Sequence, residues 1–393
     1  MDPHPLPLQC RIFSHLRLRL LSSRSCERFA TSHYHQTVHV PDGFINAPVS
    51  VAAGVVAAGA VAVSLRGARR ELDERIAPLA GLVAAFIFAV QMLNFPVAAG
   101  TSGHLLGGAL AAILVGPYTG VLCVSVVLLM QGILFADGGL TALGVNITVM
   151  AVVTTVVAYA TFRGLVKVLP KKRRSVTVSA FVAAALSVPA AALAFTLVYA
   201  IGGTTDVPIG RVLTAMVGVH VLIGLGEAAI TAFTVGAVIA VRPDLVYGAR
   251  GLRQKLQLRV GGELVDAAPE QPQLTPAPSP AGAHRTRTVW LTGLAASLVL
   301  AGVVSFYASA SPDGLEKVAA DKGIDAKVED HAAADSPLAD YSVEGITDGR
   351  LSGGLAGVIG VGVTVVAGTG VFWAVRRRSA TSDTTPTASP TSV

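Results

Sequence analysis

The feature that most constrains this chain is a succession of apolar runs close to twenty residues long, separated by short basic clusters. One of them reads "VSVAAGVVAAGAVAVSL" over 49–65 and contains no charge. In hydrocarbon a backbone finds no water for its N–H and C=O groups, so runs of this length fold as helices that satisfy those groups internally. Composition agrees: 52% of the 393 residues are hydrophobic and 14% are charged, against about 25% charged in soluble domains. The expected fold is therefore all-α: a polytopic helical membrane protein.

The apolar runs fall at about 46–65, 76–93, 103–117, 119–136, 143–162, 176–201 and 212–241. They predict a bundle of about seven helices whose Gly, Ala and Val content suits close packing. The third run is short, with its boundary at Gly116-Pro117. Residues 243–288 contain "PEQPQLTPAPSPAGAHRTR" and read as a flexible Pro/Ala-rich linker. Two further spans are expected at about 289–309 and 352–375, around a net-acidic loop, with a disordered Ser/Thr-rich tail at 379–393.

Charge placement carries the orientation. Lys and Arg gather in "RGARRELDER" after the first span, "KKRR" at 171–174, Arg242 to Lys255 after the seventh, and "RRR" at 376–378. All of these fall on one face if the segment before the first span is outside, while 94–102 has no basic residue and 202–211 only Arg211. The reading puts the linker and C-terminus in the cytoplasm and loop 310–351 outside. The net charge of +6 is thus loop charge rather than a nucleic-acid face. Three cysteines, Cys10, Cys26 and Cys123, are too few for a disulfide scaffold.

Polar groups among such runs are expensive and carry the chemistry. His104 follows the Gly-rich "GTSG" at the outer mouth of the third span. A lone histidine there is ordinarily one satisfied at an interface, but His39 in "HVPDGF" lies on the same side and narrows the gap between that reading and a ligand role. Gln131, Asp137 and Asn146 bracket an Asp-Gly-Gly turn, and His220 and Glu227 stand seven residues apart, on about one helical face. That pair reads first as structural glue or as support behind ligands. HExxH is absent and no GxxxxGK[ST] phosphate loop occurs, so a zinc protease and a P-loop ATPase are not supported.

Four stretches together, "HVPDGF" at 39–44, "NFPVAAGTSGHLLGGALAAILVGP" at 94–117, "LLMQGILFADGGLTALGVNITVMAVV" at 128–153 and "HVLIGLGEAAIT" at 220–231, closely resemble the CbiM/NikM family. These are cobalt- and nickel-specific membrane components of energy-coupling-factor transporters. "SPDGLEKVAADKG" at 311–323 and "SPLADYSVEG" at 336–345 look like the PDGLE domain, an N-type auxiliary component often fused to the first. The domains implied are 38–242 for metal binding and 289–378 for PDGLE.

The resemblance implies ligands as well. Family members open with Met-His and bind metal through the terminal amine, the second residue's amide nitrogen and imidazole, and the histidine of Gly-His-Leu-Leu. The matching positions are Val38, His39 and His104. Amine, deprotonated amide and imidazole close a five- and a six-membered chelate ring, and His104 completes a square-planar N4 site suited to Ni(II) or Cu(II). Cobalt enters through the family's substrate range. Val38 is internal here and has no free amine. Since GTG encodes valine internally and also serves as a bacterial start codon, the expected start is position 38, with 1–37 an over-extended gene start; a cleavable leader is the alternative.

The function expected is capture of extracytoplasmic Co(II) or Ni(II) at a bacterial cell membrane, for cobalamin biosynthesis or nickel enzymes. The chain is then a transporter subunit and not an enzyme, with no cofactor of its own. It implies a transmembrane coupling (T) subunit and cytoplasmic ATPase (A) subunits as partners. Asn94, Gln131, Asp137, Asn146, His220 and Glu227 are the side chains expected to hold the N-terminal segment or the imidazoles. The alternatives are a self-sufficient secondary transporter with His220 and Glu227 as a proton relay, and an intramembrane metalloenzyme.

Overall fold

The computed structural model describes residues 39–382 apart from 73–75, 99–100, 253–256, 261–262, 267–282 and scattered positions between 310 and 347. Residues 1–38, with Val38 and the segment read as an over-extended start, lie outside the described residues. Helices account for nearly all regular structure, and seven of them are long and apolar enough to cross a membrane.

The first domain contains seven helices: α1 (Ala47–Ala68), α2 (Ile76–Gln91), α3 (Gly108–Val115), α4 (Pro117–Leu134), α5 (Leu143–Val168), α6 (Arg173–Gly202) and α7 (Ile209–Val241). Asn46 caps α1 by accepting from Val49 N–H, with Pro48 in the first turn, where a missing N–H costs nothing. Small residues set the close approaches. A Cβ at Gly144 would overlap the backbone of Gly54, which brings α1 against the start of α5.

The third span differs from expectation. In place of a helix over 103–117, a short hairpin of β1 (Phe95–Ala98) and β2 (Thr101–Gly103) leads through irregular residues 104–107 into α3. At 1.5 Å per residue an eight-residue helix reaches about 12 Å, well short of the roughly 30 Å of a hydrocarbon core. All eight residues of α3 are buried within the bundle. Irregular backbone survives at such depth only where protein satisfies it, and here two side chains do so. Glu227 Oε2 accepts from Leu106 N–H at 2.7 Å and its Oε1 from Gly107 N–H at 3.1 Å, while Gln91 Nε2 donates to Leu106 C=O at 2.9 Å. Past the break at Gly116, buried Glu71 accepts from Thr119 N–H at 2.7 Å and Tyr118 N–H at 3.3 Å at the start of α4.

Within α5 the stretch Ile147–Val153 is a π-helical turn directly after Asn146. Such a widened turn is frequent at functional sites. The stretch read as linker holds 3-10 turns over Pro243–Leu245 and Tyr247–Leu252 and a hairpin of β3 (Gln257–Val260) and β4 (Glu263–Asp266).

The second domain consists of α8 (Ala283–Gly302), α9 (Gly314–Lys322) and α10 (Gly349–Ser382). The last helix runs four residues into the stretch expected as tail. Gly354 and Gly357 let α10 pack on Phe306 and Ala301. The two long helices otherwise present Trp290, Leu300, Val366 and Phe372 outward, as lipid-facing spans do. The segment between them folds over the first domain.

Candidate metal centre

His39 and His104 meet edge to face, with ring centroids 5.4 Å apart. His39 is 2% exposed and His104 is 7% exposed. Both line a cavity of about 50 Å³ together with Asn146, Met150, His220 and Asp313. The space suits a few waters or a partly hydrated ion and is far below the roughly 300 Å³ of small-molecule sites. Among the described residues no Lys or Arg lines it.

The segment bearing His39 is tied down at each side of the ring. Asn146 pairs with Val40 as a strand would: its Oδ1 accepts from Val40 N–H and its Nδ2 donates to Val40 C=O, both at 3.1 Å. Gly139 N–H donates to the same carbonyl at 2.9 Å. Asp42 accepts from Thr141 N–H at 2.7 Å, Leu140 N–H at 3.2 Å and the Thr141 hydroxyl. The Pro-Asp-Gly turn and the Asp-Gly-Gly turn are therefore built against each other. Gly138, at φ +85°, passes so close that a Cβ there would stand 2.7 Å from that of His39.

Asp137 stands beside His39, with Oδ1 3.1 Å from Nδ1 in an orientation that does not align as a hydrogen bond. Ala136 before it adopts φ +54°, a left-handed conformation that costs about 1 kcal/mol for a residue with a Cβ. His39 Nε2 is buried with no hydrogen-bond partner among the described residues. As placed, the ring offers Nε2 and turns Nδ1 toward the carboxylate. The six-membered chelate implied by resemblance uses Nδ1, so it requires the ring turned over about χ2, which exchanges Nδ1 with Cδ2 and Nε2 with Cε1. As the ring stands, a carboxylate beside Nδ1 is the pairing that orients metal-binding histidines.

His104 places Nδ1 3.2 Å from Leu105 C=O, and its Nε2 faces Asp313 Oδ2 at 3.6 Å. Asp313 belongs to the second domain. It N-caps α9 by accepting from Glu316 N–H at 2.7 Å, and Glu316 returns the contact to Asp313 N–H at 2.9 Å, a capping box. Burial, and next the Glu316 charge, push the Asp313 carboxyl well above the usual carboxylate range.

Of the side chains singled out in the sequence, His39, His104, Asn146 and His220 share the cavity, and Asp137 sits against it. His220 and Glu227 do not pair. His220 Nδ1 contacts Met216 C=O of its own helix at 2.8 Å, whereas Glu227 holds the backbone beyond His104. Gln131 donates from Nε2 to Met92 Sδ at 3.6 Å, and Asn94 accepts through its backbone C=O from Ser309 N–H at 2.8 Å. Sequence reading missed Asp42, Gln91, Asp313 and His331. The last donates from Nε2 to Gly138 C=O, 3.1 Å away, while its Nδ1 accepts from Ala333 N–H at 2.9 Å. The "PDG" repeated at 41–43 and 312–314 was the available signal for both aspartates.

A helical membrane bundle with two facing buried imidazoles at a small cavity, with Asp313 in its lining and Asp137 beside His39, offers nitrogen and oxygen donors at membrane depth. The chain belongs to the CbiM family: residues 39–245 match the family described as cobalt uptake substrate-specific transmembrane region. Residues 287–377 match the PDGLE domain. It is 39% identical over 210 residues to a putative metal transport protein of Haloquadratum walsbyi, covering 53% of this chain and 94% of that one. It is 37% identical over 232 residues to a putative fused nickel transport protein NikMN of Archaeoglobus fulgidus, covering 59% and 75% respectively. A crystal structure of a truncated transition metal transporter aligns over 51% of this chain and 98% of its own, with 26% identity and a TM-score of 0.45.

Proposed function

We propose that this chain captures Co(II) or Ni(II) on the outer side of a bacterial cell membrane, as the substrate-binding component of an energy-coupling-factor importer. The observation that carries the reading is the buried His39–His104 pair facing a cation-sized cavity free of Lys and Arg. Names carried by relatives support the choice of cation: a fused nickel transport protein in Archaeoglobus fulgidus and a cobalt transport protein in Sorangium cellulosum. The proposed ligands are His39, His104 and, where the mature chain starts at position 38, the amine of Val38 with the amide nitrogen of His39. Asn146, Asp42 and Asp137 hold this segment, and Glu227 with Gln91 holds the loop of His104.

Transport then takes energy from elsewhere, through a transmembrane coupling subunit and cytoplasmic ATPases, and the imported metal serves cobalamin biosynthesis or nickel enzymes. The positive-inside distribution of Lys and Arg supports an outward site with linker and C-terminus in the cytoplasm.

The test is equilibrium binding of Ni(II) and Co(II) to protein begun at residue 38, beside His39→Ala and His104→Ala and a form carrying an N-terminal tag. Each substitution, and the tag, should lower the bound metal from one equivalent to near none. Unchanged binding in His104→Ala removes the site. Uptake into vesicles that lack ATPase partners would instead favour a self-sufficient transporter.

A further inference from the structure

We propose that Asp313 is a direct oxygen ligand of the cation that His104 binds, so that the PDGLE segment closes the site by coordination. This rests on the histidine site proposed above and deepens it.

Four observations point to it. First, Asp313 is 1% exposed and its two oxygens are divided: Oδ1 accepts from Glu316 N–H, and Oδ2 is aimed at His104 Nε2. Second, the 3.6 Å between Oδ2 and Nε2 is too long for a hydrogen bond. It is the separation of two donors that each sit about 2.0–2.2 Å from one ion at an angle of ~120°. That is the equatorial angle of a five-coordinate trigonal bipyramid rather than the ~90° of a square plane, so the aspartate would turn the four-nitrogen set into a five-coordinate one. Third, His104 uses Nδ1 at Leu105 C=O, so Nε2 is the nitrogen it offers to the cavity. Fourth, a carboxyl buried this deeply ionises only beside a positive charge, and among the described residues no Lys or Arg lines the cavity to supply one, which leaves that part to a bound cation.

The placement is enforced by backbone contacts outside the cavity. Ser102, two residues before His104, donates from N–H to Pro312 C=O at 2.8 Å and from its hydroxyl to Ser311 C=O at 2.7 Å. The two chains are thus joined immediately before the two side chains that meet. On the other side a Cβ at Gly314 would run into Val219 and Ile223 of α7, so α9 approaches this face by virtue of having a glycine there. An oxygen donor beside imidazole nitrogen suits Co(II) and Ni(II) with more than four ligands, and disfavours soft Cu(I).

The experiment uses the protein begun at residue 38, with its second domain intact, in lipid nanodiscs with Co(II) as the probe. Asp313→Asn keeps an N-cap of equal quality, so α9 should fold. It is expected to lose tenfold or more in Co(II) affinity and to change the visible d–d spectrum. Asp313→Cys is the gain-of-signal arm: a thiolate in reach of the ion produces a sulfur-to-Co(II) charge-transfer band in the near ultraviolet, absent from the unsubstituted chain. His104→Ala should bind no Co(II). If Asp313→Asn retains unsubstituted affinity and spectrum, or binds more tightly, or if Asp313→Cys shows no charge-transfer band while His104→Ala is dead, the aspartate is not a ligand and the histidine site stands. If His104→Ala binds normally, the histidine site itself is wrong.

Discussion

At the scale of single residues the site depends on side chains that copy backbone chemistry. Asn146 supplies one acceptor and one donor to Val40, and no other residue type of that size supplies both. Asn146→Asp keeps the acceptor but turns an oxygen toward Val40 C=O, leaving a buried repulsion in place of a bond. The expected result is a 10–100-fold loss of Ni(II) affinity by calorimetric titration, the usual effect of removing a group that orients a ligand. Asn146→Ala should fall in the same range, and equal affinity in both variants and the unsubstituted chain would show that Val40 needs no anchor. Gly138 makes a sharper case because geometry alone condemns a side chain there. At φ +85° an L-residue is strained by about 1–2 kcal/mol, and its Cβ would press on His39 and the Asn146 amide. Gly138→Ala should therefore displace His39 and weaken metal binding at least tenfold, whereas Gly164→Ala, which meets no atom within 4 Å, should leave it unchanged.

At the scale of elements, the broken third span explains why carboxylates lie so deep. Breaking a helix frees backbone groups, and Glu227 and Glu71 each accept two of the freed N–H groups, at the starts of α3 and α4. Both carboxylates also sit at positive ends of helix dipoles. Glu227→Ala leaves Leu106 and Gly107 N–H buried without partners, at about 1–3 kcal/mol each. The thermal midpoint in detergent should drop by several degrees and metal affinity should fall with it, since these residues follow His104 directly. A variant with an unchanged midpoint would mean that water replaces the carboxylate. The break also marks how far the sequence could be read. Hydropathy located the seven helices long and apolar enough to cross, and Gly-His-Leu-Leu with Asn146 pointed to residues that share the cavity, because apolar length and isolated polar groups are local signals. What Glu227 bonds to was not legible: its partners lie 120 and 121 residues away, and helical periodicity pointed to His220 instead. The third span was read as a helix because composition cannot distinguish a spanning helix from an irregular segment buried on all sides.

At the scale of the whole molecule, the second domain covers the cavity through both hydrogen bonds and buried apolar side chains. Its segment 309–336 bonds to the first domain at Asn94, Ser102, Asp42, Gly138 and Leu134, through contacts from Ser309, Ser311, Pro312, Glu329, His331 and Ser336. Such bonds net about 0.5–1.5 kcal/mol each. Leu315, Val318, Ala319 and Ile324 of the same segment are also buried in the main core, and together these contacts offset an ordering cost of about 1–2 kcal/mol per residue. The contacts touch both turns that hold His39 as well as the strand that leads to His104, so the segment cannot lift from one histidine while staying seated on the other. Opening should consequently be concerted and should gate metal exchange. Linking Ser102→Cys to Ser311→Cys with a short thiol crosslinker, in a chain whose three native cysteines are alanine, tests this directly. Metal loaded before linking should exchange at least tenfold more slowly than in the unlinked protein, metal offered afterwards should fail to enter, and a cleavable linker should restore both on reduction. Exchange at the same rate before and after linking would mean that the cation reaches the histidines by a path that the second domain does not cover.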